Sequence, residues 1–222
     1  MENISEKEKF DWIKENLYVA AVCDILDELG YKHQAMHQRL RPLQQDNCTF
    51  IGRARTMRWM EVDYKTDDNY DIEIIAMDSL KPGDVMVHSQ DLAGTNAPWG
   101  ELMSTAAKMR GAVGCVCDSQ IRDCMRIMDL QFPVFYTGIR PLDSSSRGQV
   151  MAYDVPVRCG DVLVNPGDIV YADFDGVVVI PKEAEDKVFE LAKDKAEREN
   201  KSRDELLKGL TLGEVFAKYG AL

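Results

Sequence analysis

The sequence predicts an α/β fold with helical segments at both ends. Short apolar runs alternate with turn residues and helical stretches from about residue 49 to 180, and both ends carry apolar residues at helical spacing. The 222 residues contain no internal repeat, low-complexity tract or linker, so the chain reads as one domain over 1–222.

Taken in order, residues 6–16 carry a helical pattern around Phe10, Trp12 and Ile13. A second helix is expected over 18–29, where Val19, Val22, Cys23, Leu26 and Leu29 share a face and Gly30 supplies the stop. Residues 49–59 alternate enough to read as a strand. The polar stretch 63–71 reads as a loop. Its Asp67, Asn69 and Asp71 are spaced like calcium ligands, but Ile72 stands where such a loop needs glycine, so no calcium site is expected. A strand at 85–87 follows the turn Lys81-Pro82-Gly83-Asp84. A loop over 91–99 then leads through Gly100 into a helix at 101–110. An apolar strand at 112–117, a short helix at 123–130 and a strand at 133–136 complete a β–loop–α–β unit. Strands are expected at 150–157, 162–164, 169–172 and 177–180. A charged helical tail over 183–222 closes the chain, with one helix to about 210, interrupted near Lys201, and another at 212–219.

Charge arithmetic gives 27 − 38 = −11, and a surface of that sign repels phosphate backbones, so direct nucleic-acid binding is not expected. A basic protein partner would not be repelled. No apolar stretch approaches the roughly 20 residues that span a bilayer, and residues 1–10 lack the apolar core of a secretory signal. The expectation is therefore a cytoplasmic protein without a membrane partner, whose six cysteines are reduced thiols. None of them forms a CxxC pair.

The richest chemistry lies in Trp99-Gly100-Glu101-Leu102-Met103 and, further on, Ile121-Arg122-Asp123. Unpaired N–H groups at a helix start attract carboxylates and phosphates, and Gly100 lets a ligand approach the backbone closely. The competing reading makes Gly100 a plain turn and Glu101 a complement to the helix dipole. Asp118, Arg122 and Asp123 fall just past an apolar strand, where α/β folds tend to hold ligands. Adjacent Arg and Asp give a cation beside an anionic metal ligand; a surface ion pair is the structural alternative. His33 and His37 sit between Gly30 and Pro42, so a helical His-His metal site is not expected, and His88 is expected to end a strand. Cys124 adjoins the Arg-Asp pair without a histidine in sequence to activate it, so packing is its expected role. No Walker or dinucleotide fingerprint occurs, and Gly111-Ala112-Val113-Gly114 is too short to signal a nucleotide site.

Three blocks in order resemble a known family. They are Trp99 to Gly111, Asp118-Ser119-Gln120-Ile121-Arg122-Asp123, and Val155 to Pro181 with its Asn165-Pro166-Gly167-Asp168 and Asp173-Phe174-Asp175-Gly176 turns. The sequence is similar, over roughly 18–200, to the family of regulator of ribonuclease activity A and 4-hydroxy-4-methyl-2-oxoglutarate aldolase. The resemblance implies a swivelling β/β/α-type fold, assembled as a homotrimer or a dimer of trimers. It implies a divalent-metal (Mg²⁺ or Mn²⁺) class II type aldolase or oxaloacetate decarboxylase that releases pyruvate from a small 2-oxo acid. By the same resemblance, the backbone of Gly100, Glu101, Leu102 and Met103 holds the substrate carboxylate and Arg122 binds the substrate. Asp123 ligates the metal, and Glu101 lies near the substrate; chemically, Asp118 is then placed to orient a metal-bound water from behind the metal. An acid from a neighbouring copy's C-terminal helix lines the site, with Glu199 the best match and Glu197 the alternative. Departures from the pattern are Ser119-Gln120, Ser89 in place of a common Asp, and the loop 88–98, all of which bear on substrate identity. The rival readings are a non-catalytic protein that binds a ribonuclease, and a quinone methyltransferase, which the lack of an adenosyl-cofactor motif disfavours.

Overall fold

The structure, a computed structural model, describes residues 5–65, 67–90 and 96–220. Residues 1–4 and most of the loop expected over 91–99 lie outside the described residues. Helix α1 (Glu6–Asn16) starts on a capping box in which Ser5 and Glu8 exchange side-chain and backbone hydrogen bonds, and it buries Phe10 and Ile13. Helix α2 (Val19–Glu28) buries Val19, Ala21, Val22, Ile25 and Leu26.

An eight-stranded mixed sheet forms the middle of the molecule. Its main path runs β1 (Arg41–Pro42), β5 (Val134–Ile139), β4 (Gly114–Ile121), β3 (Asp84–Gln90), β2 (Phe50–Glu61), β9 (Ile169–Asp173) and β10 (Gly176–Ile180). Strand β2 is the hub. It runs parallel to β3, antiparallel to β9 along its first half, and antiparallel to β6 (Gly148–Tyr153) along its second. The stretch expected as a single strand over 150–157 is thus two. Positive-φ Asp154 (φ 51°) breaks it, after which β7 (Val157–Cys159) pairs with β8 (Val162–Val164) as a separate ribbon.

Strict alternation along these strands sorts the core. Phe50, Ala54, Val85, Val87, Val116, Phe135, Val170, Ala172, Val177 and Val179 share one face, and the β7–β8 ribbon packs against it. That single cluster joins residues from nearly every strand, so the sheet curls nearly closed around it. On β1, Arg41 donates to the carbonyls of Phe174 and Asp175 in the β9–β10 turn, linking the two edges at 3.1 and 3.3 Å. The outer face is covered by α1, α2 and helix α6 (Glu185–Leu207) on one side. On the other side stand α3 (Asp71–Asp78), α4 (Glu101–Met109) and α5 (Cys124–Leu130).

Other elements also depart from the sequence expectation. Helix α3 was not expected, because its acidic residues interrupt the apolar pattern. Helix α6 runs through Lys201 without a break; Val188, Phe189, Ala192 and Ala196 keep one face buried. Strand β4 continues past Asp118 to Ile121 through a register shift between Cys117 and Gln120. Asp118 therefore lies inside the strand rather than beyond it. A final helix, α7 (Leu212–Tyr219), begins with a Thr211–Glu214 capping box. Among the described residues no helix is long and apolar enough to cross a membrane.

Candidate active site

Parallel strands β3, β4 and β5 send their carboxyl ends in one direction, and the segments that follow them converge there. Trp99 is the staple. Fully buried, it bridges to Ile121 at the end of β4, and its carbonyl accepts from the Arg122 amide at 3.0 Å. Its indole Nε1 donates to Ser104 Oγ at 2.8 Å, and that hydroxyl donates to the Gly100 carbonyl at 3.0 Å. These bonds hold the start of α4 against the end of β4. Gly100 caps α4 in an extended conformation (φ −151°), so its need for glycine is one of space. A Cβ there would sit 2.7 Å from Asp123 Oδ2 and 3.2 Å from Arg122 Cγ.

Asp123 caps α5 in the left-handed region (φ 59°, ψ 29°), a conformation Asp tolerates better than most residues. Its Oδ2 accepts from the Glu101 amide at 3.3 Å and lies 3.7 Å from Arg122 Nε. Arg122 reaches the other way to Asp143 Oδ1 at 3.1 Å, and Tyr70 donates its hydroxyl to Asp143 Oδ2 at 3.0 Å. A cavity of about 410 Å³ opens onto these groups. Gly100, Leu102, Met103, Arg122 and Asp123 line one part of it. Tyr70, Glu73, Ile74 and Met77, all on or just before α3, line another. Glu73 is only 6% exposed. Burial and the nearby Asp143 raise its carboxyl to about 7, against a downward pull from Arg122.

Thus Arg122, Asp123 and the backbone of Gly100 to Met103 come together in space. Other expected residues sit apart. Glu101 offers its amide to Asp123, but its carboxylate accepts from Thr105 Oγ1 at 2.8 Å along α4. Asp118 does not line the cavity: it takes Arg39 bidentately at 2.9 Å and the Gly160 amide at 2.8 Å. Within this chain Glu199 lines a different cleft, near α7, accepting from Tyr18 at 2.5 Å with Lys195 at 3.4 Å. Glu197 pairs loosely with Lys201 at 3.9 Å. Cys124 packs beside the outer core, where burial pushes its thiol up. His88 lies within β3 rather than at its end, between the rings of Trp59 and Trp99. Burial pushes it down to about 3. Sequence reading missed Tyr70, Glu73 and Asp143. The available signal was a carboxylate inside an otherwise apolar helical run, Ile72 to Met77.

The donor set decides which metal could fit. Among the described residues no group of three or more His, Cys, Asp or Glu side chains could cage an ion. Asp123, with 42% of its side chain exposed, can offer a single carboxylate. Mg²⁺ characteristically keeps several waters and takes one or two protein carboxylates, so the residues fit a hydrated hard cation and not a closed structural site.

The RraA-like family profile, described as aldolase/RraA, matches residues 19–179. A protein of Halalkalibacterium halodurans named "Putative 4-hydroxy-4-methyl-2-oxoglutarate aldolase" is 34% identical over 189 residues, covering 84% of each chain. Among solved structures, Streptomyces coelicolor RraAS2, described as an unusual member of the RNase ES inhibitor RraA family, superposes with a TM-score of 0.78 at 30% identity. The match covers 90% of this chain and 98% of that one. A chain described among novel cellulases from gut-associated microbes superposes with a TM-score of 0.84 at 28% identity, covering 89% and 88%. The nearly closed sheet, the helices at both ends and a profile match across most of the chain lead to one conclusion: this protein belongs to the RraA-like (aldolase/RraA) family.

Proposed function

We propose that this protein is a divalent-metal-dependent carbon–carbon lyase. It would cleave a small 2-oxo acid, by retro-aldol reaction or by decarboxylation of oxaloacetate, and release pyruvate. The observation that carries this reading is the meeting of Arg122, Asp123 and the amide end of α4 in one cavity. The first-turn amides of a helix have no acceptor inside it, so those of α4 can receive the substrate's C1 carboxylate. Arg122 holds a fixed positive charge where negative charge grows on the C2 oxygen as the bond breaks. To engage substrate it must exchange its contact with Asp143. A Mg²⁺ or Mn²⁺ ion held by Asp123 would supply Lewis-acid stabilisation of that same charge. Met77 and Met103 give the cavity part of its apolar wall. In this reading a water takes the 4-hydroxyl proton, held by Glu101 once that carboxylate releases Thr105 and by Glu199 of a neighbouring copy of a trimer once it releases Tyr18. The relative named above makes 4-hydroxy-4-methyl-2-oxoglutarate a candidate substrate.

The test is pyruvate release from oxaloacetate and from a 4-hydroxy-2-oxo acid with Mg²⁺ or Mn²⁺. Chelation should stop it. Asp123→Ala should lower it by about 10²-fold or more while circular dichroism stays native, and Arg122→Lys should also fall sharply because the planar bidentate cation is lost. Undiminished release by Asp123→Ala defeats the proposal. A regulatory reading has its own support in the −11 charge and the ribonuclease-inhibitor family of the Streptomyces neighbour. Absence of pyruvate with either metal, together with binding to a ribonuclease, would favour it.

A further inference from the structure

Glu73 is the polar group that the proposed chemistry leaves without a job. It stands on α3 in the run Asp71-Ile72-Glu73-Ile74-Ile75-Ala76-Met77, and its residue is only 6% exposed. Carboxylates are seldom buried to that degree unless paired. The other acids of the cavity have partners: Asp143 holds Arg122 and Tyr70, Asp78 holds Arg110 at 2.7 Å, and Asp123 holds the Glu101 amide. No hydrogen bond or ion pair engages Glu73 among the described residues, yet it lines the same cavity as the Arg122 guanidinium. Its carboxylate oxygens are not among the fully enclosed polar atoms that lack a partner, so the cavity that Glu73 lines is where solvent, or a ligand that replaces it, meets them.

The cavity is also electrically lopsided. Arg122 and the α4 amides favour a negative group at one part of the wall. Across α3, Glu73 is joined by Asp143 and Tyr70, and among the described residues no cation other than Arg122 lines the cavity. A ligand gripped by its carboxylate at the amide end therefore meets oxygen acceptors with its remaining atoms. A second carboxylate there would face Glu73 and Asp143 at like charge in a partly desolvated space. A hydroxyl would be matched, since it can donate to a carboxylate or accept from a protonated carboxyl.

Building on the lyase reading above, we propose that Glu73 determines substrate specificity. It hydrogen-bonds a hydroxyl on the tail of a 2-oxo acid and, with Asp143, disfavours 2-oxo acids that end in a second carboxylate. The substrate class this selects is the monocarboxylic 2-oxo acid with a hydroxylated, uncharged tail, so oxaloacetate and 4-hydroxy-4-methyl-2-oxoglutarate, which both end in a second carboxylate, are cleaved less efficiently than a 4-hydroxy-2-oxo acid with such a tail.

Two five-carbon probes that lack a 4-hydroxyl, and so cannot undergo retro-aldol cleavage, isolate the tail: 5-hydroxy-2-oxopentanoate and 2-oxoglutarate. Their dissociation constants are measured by calorimetry on the full chain in Mg²⁺ buffer. Wild type should bind the hydroxyl-tailed probe at least tenfold more tightly. Glu73→Gln, which removes the negative charge and keeps a hydrogen-bonding amide, should shrink that ratio at least fivefold, chiefly by improving 2-oxoglutarate binding. Glu73→Leu should shrink it by weakening the hydroxyl-tailed probe. A side chain that merely supported the fold would change both affinities in parallel and leave the ratio as in wild type. An unchanged ratio in both variants, equal or reversed preference in wild type, or binding of neither probe overturns the assignment of Glu73. Pyruvate release is scored separately, so the tail preference can fail while cleavage stands, or hold while cleavage is absent.

Discussion

Glu73 also makes a stability prediction. Its carboxyl releases a proton near 4.5 in an unfolded chain, whereas burial and Asp143 hold that proton to about 7 in the folded one. Between those values the folded state binds more protons than the unfolded state, so stability falls as pH rises. The contribution is intact below about 4.5 and is lost as pH passes through about 7. Glu73→Gln carries no charge at any of these values and escapes the loss. The gap, at about 1.36 kcal/mol per pH unit, sets a ceiling of about 3 kcal/mol on the relative stabilisation of the variant at pH 8. Urea unfolding at pH 5 and pH 8 checks it: a difference between variant and wild type that is the same at both values would contradict the account. The residue shows what a sequence hides. Its burial depends on α4, β6 and the segment after β5 closing over α3, and no local pattern reports that closure.

Among the elements, the junction of β4 with α4 and α5 positions the chemistry. Trp99 anchors it from one side and the left-handed Asp123 turns the loop from the other. Gly100 is the point of closest approach, so Gly100→Ala should push Asp123 Oδ2 and the Arg122 stem aside. Pyruvate release should fall by about 10²-fold, or roughly 3 kcal/mol, because a small displacement of positioned groups is costly to rate, while unfolding free energy changes by only about 1 kcal/mol. Equal losses in both would mean that Gly100 serves the fold alone. The sequence motif here was readable: Gly100-Glu101 opening a helix and Arg122-Asp123 past a strand are local signals, and the structure sets them side by side. The end of β4 was not readable. Asp118-Ser119-Gln120 looks like a loop by composition, and it is strand because Arg39 and Gly160, distant in sequence, satisfy the buried Asp118 carboxylate. Asp118 accordingly serves that pairing, away from the cavity where it was expected.

Across the whole molecule, β2 ties the halves of the sheet together, and Gly52 is its tightest point. A Cβ at Gly52 would lie 2.2 Å from the Gly83 carbonyl oxygen, which also accepts from the Arg53 amide at 3.0 Å. Gly52→Ala must therefore spread β2 from the turn before β3, and overpacking of this kind costs about 1–3 kcal/mol. A thermal melt should show a clear drop in Tm; an unchanged Tm would mean the sheet relaxes more freely than its packing indicates. The sequence by itself determined the kinds of elements, most of their order, the helical ends and the three blocks that mark the family, because hydrophobic periodicity and turn chemistry act over a few neighbouring residues. Only the tertiary structure decided which face of each strand turns inward as the sheet curls, that Asp118 belongs to Arg39, and that Tyr70, Glu73 and Asp143 share a cavity with Arg122. The reason is physical: a carboxyl's burial, its partners and its proton affinity are set by groups brought near through folding, and that proximity is not encoded in spacing along the chain.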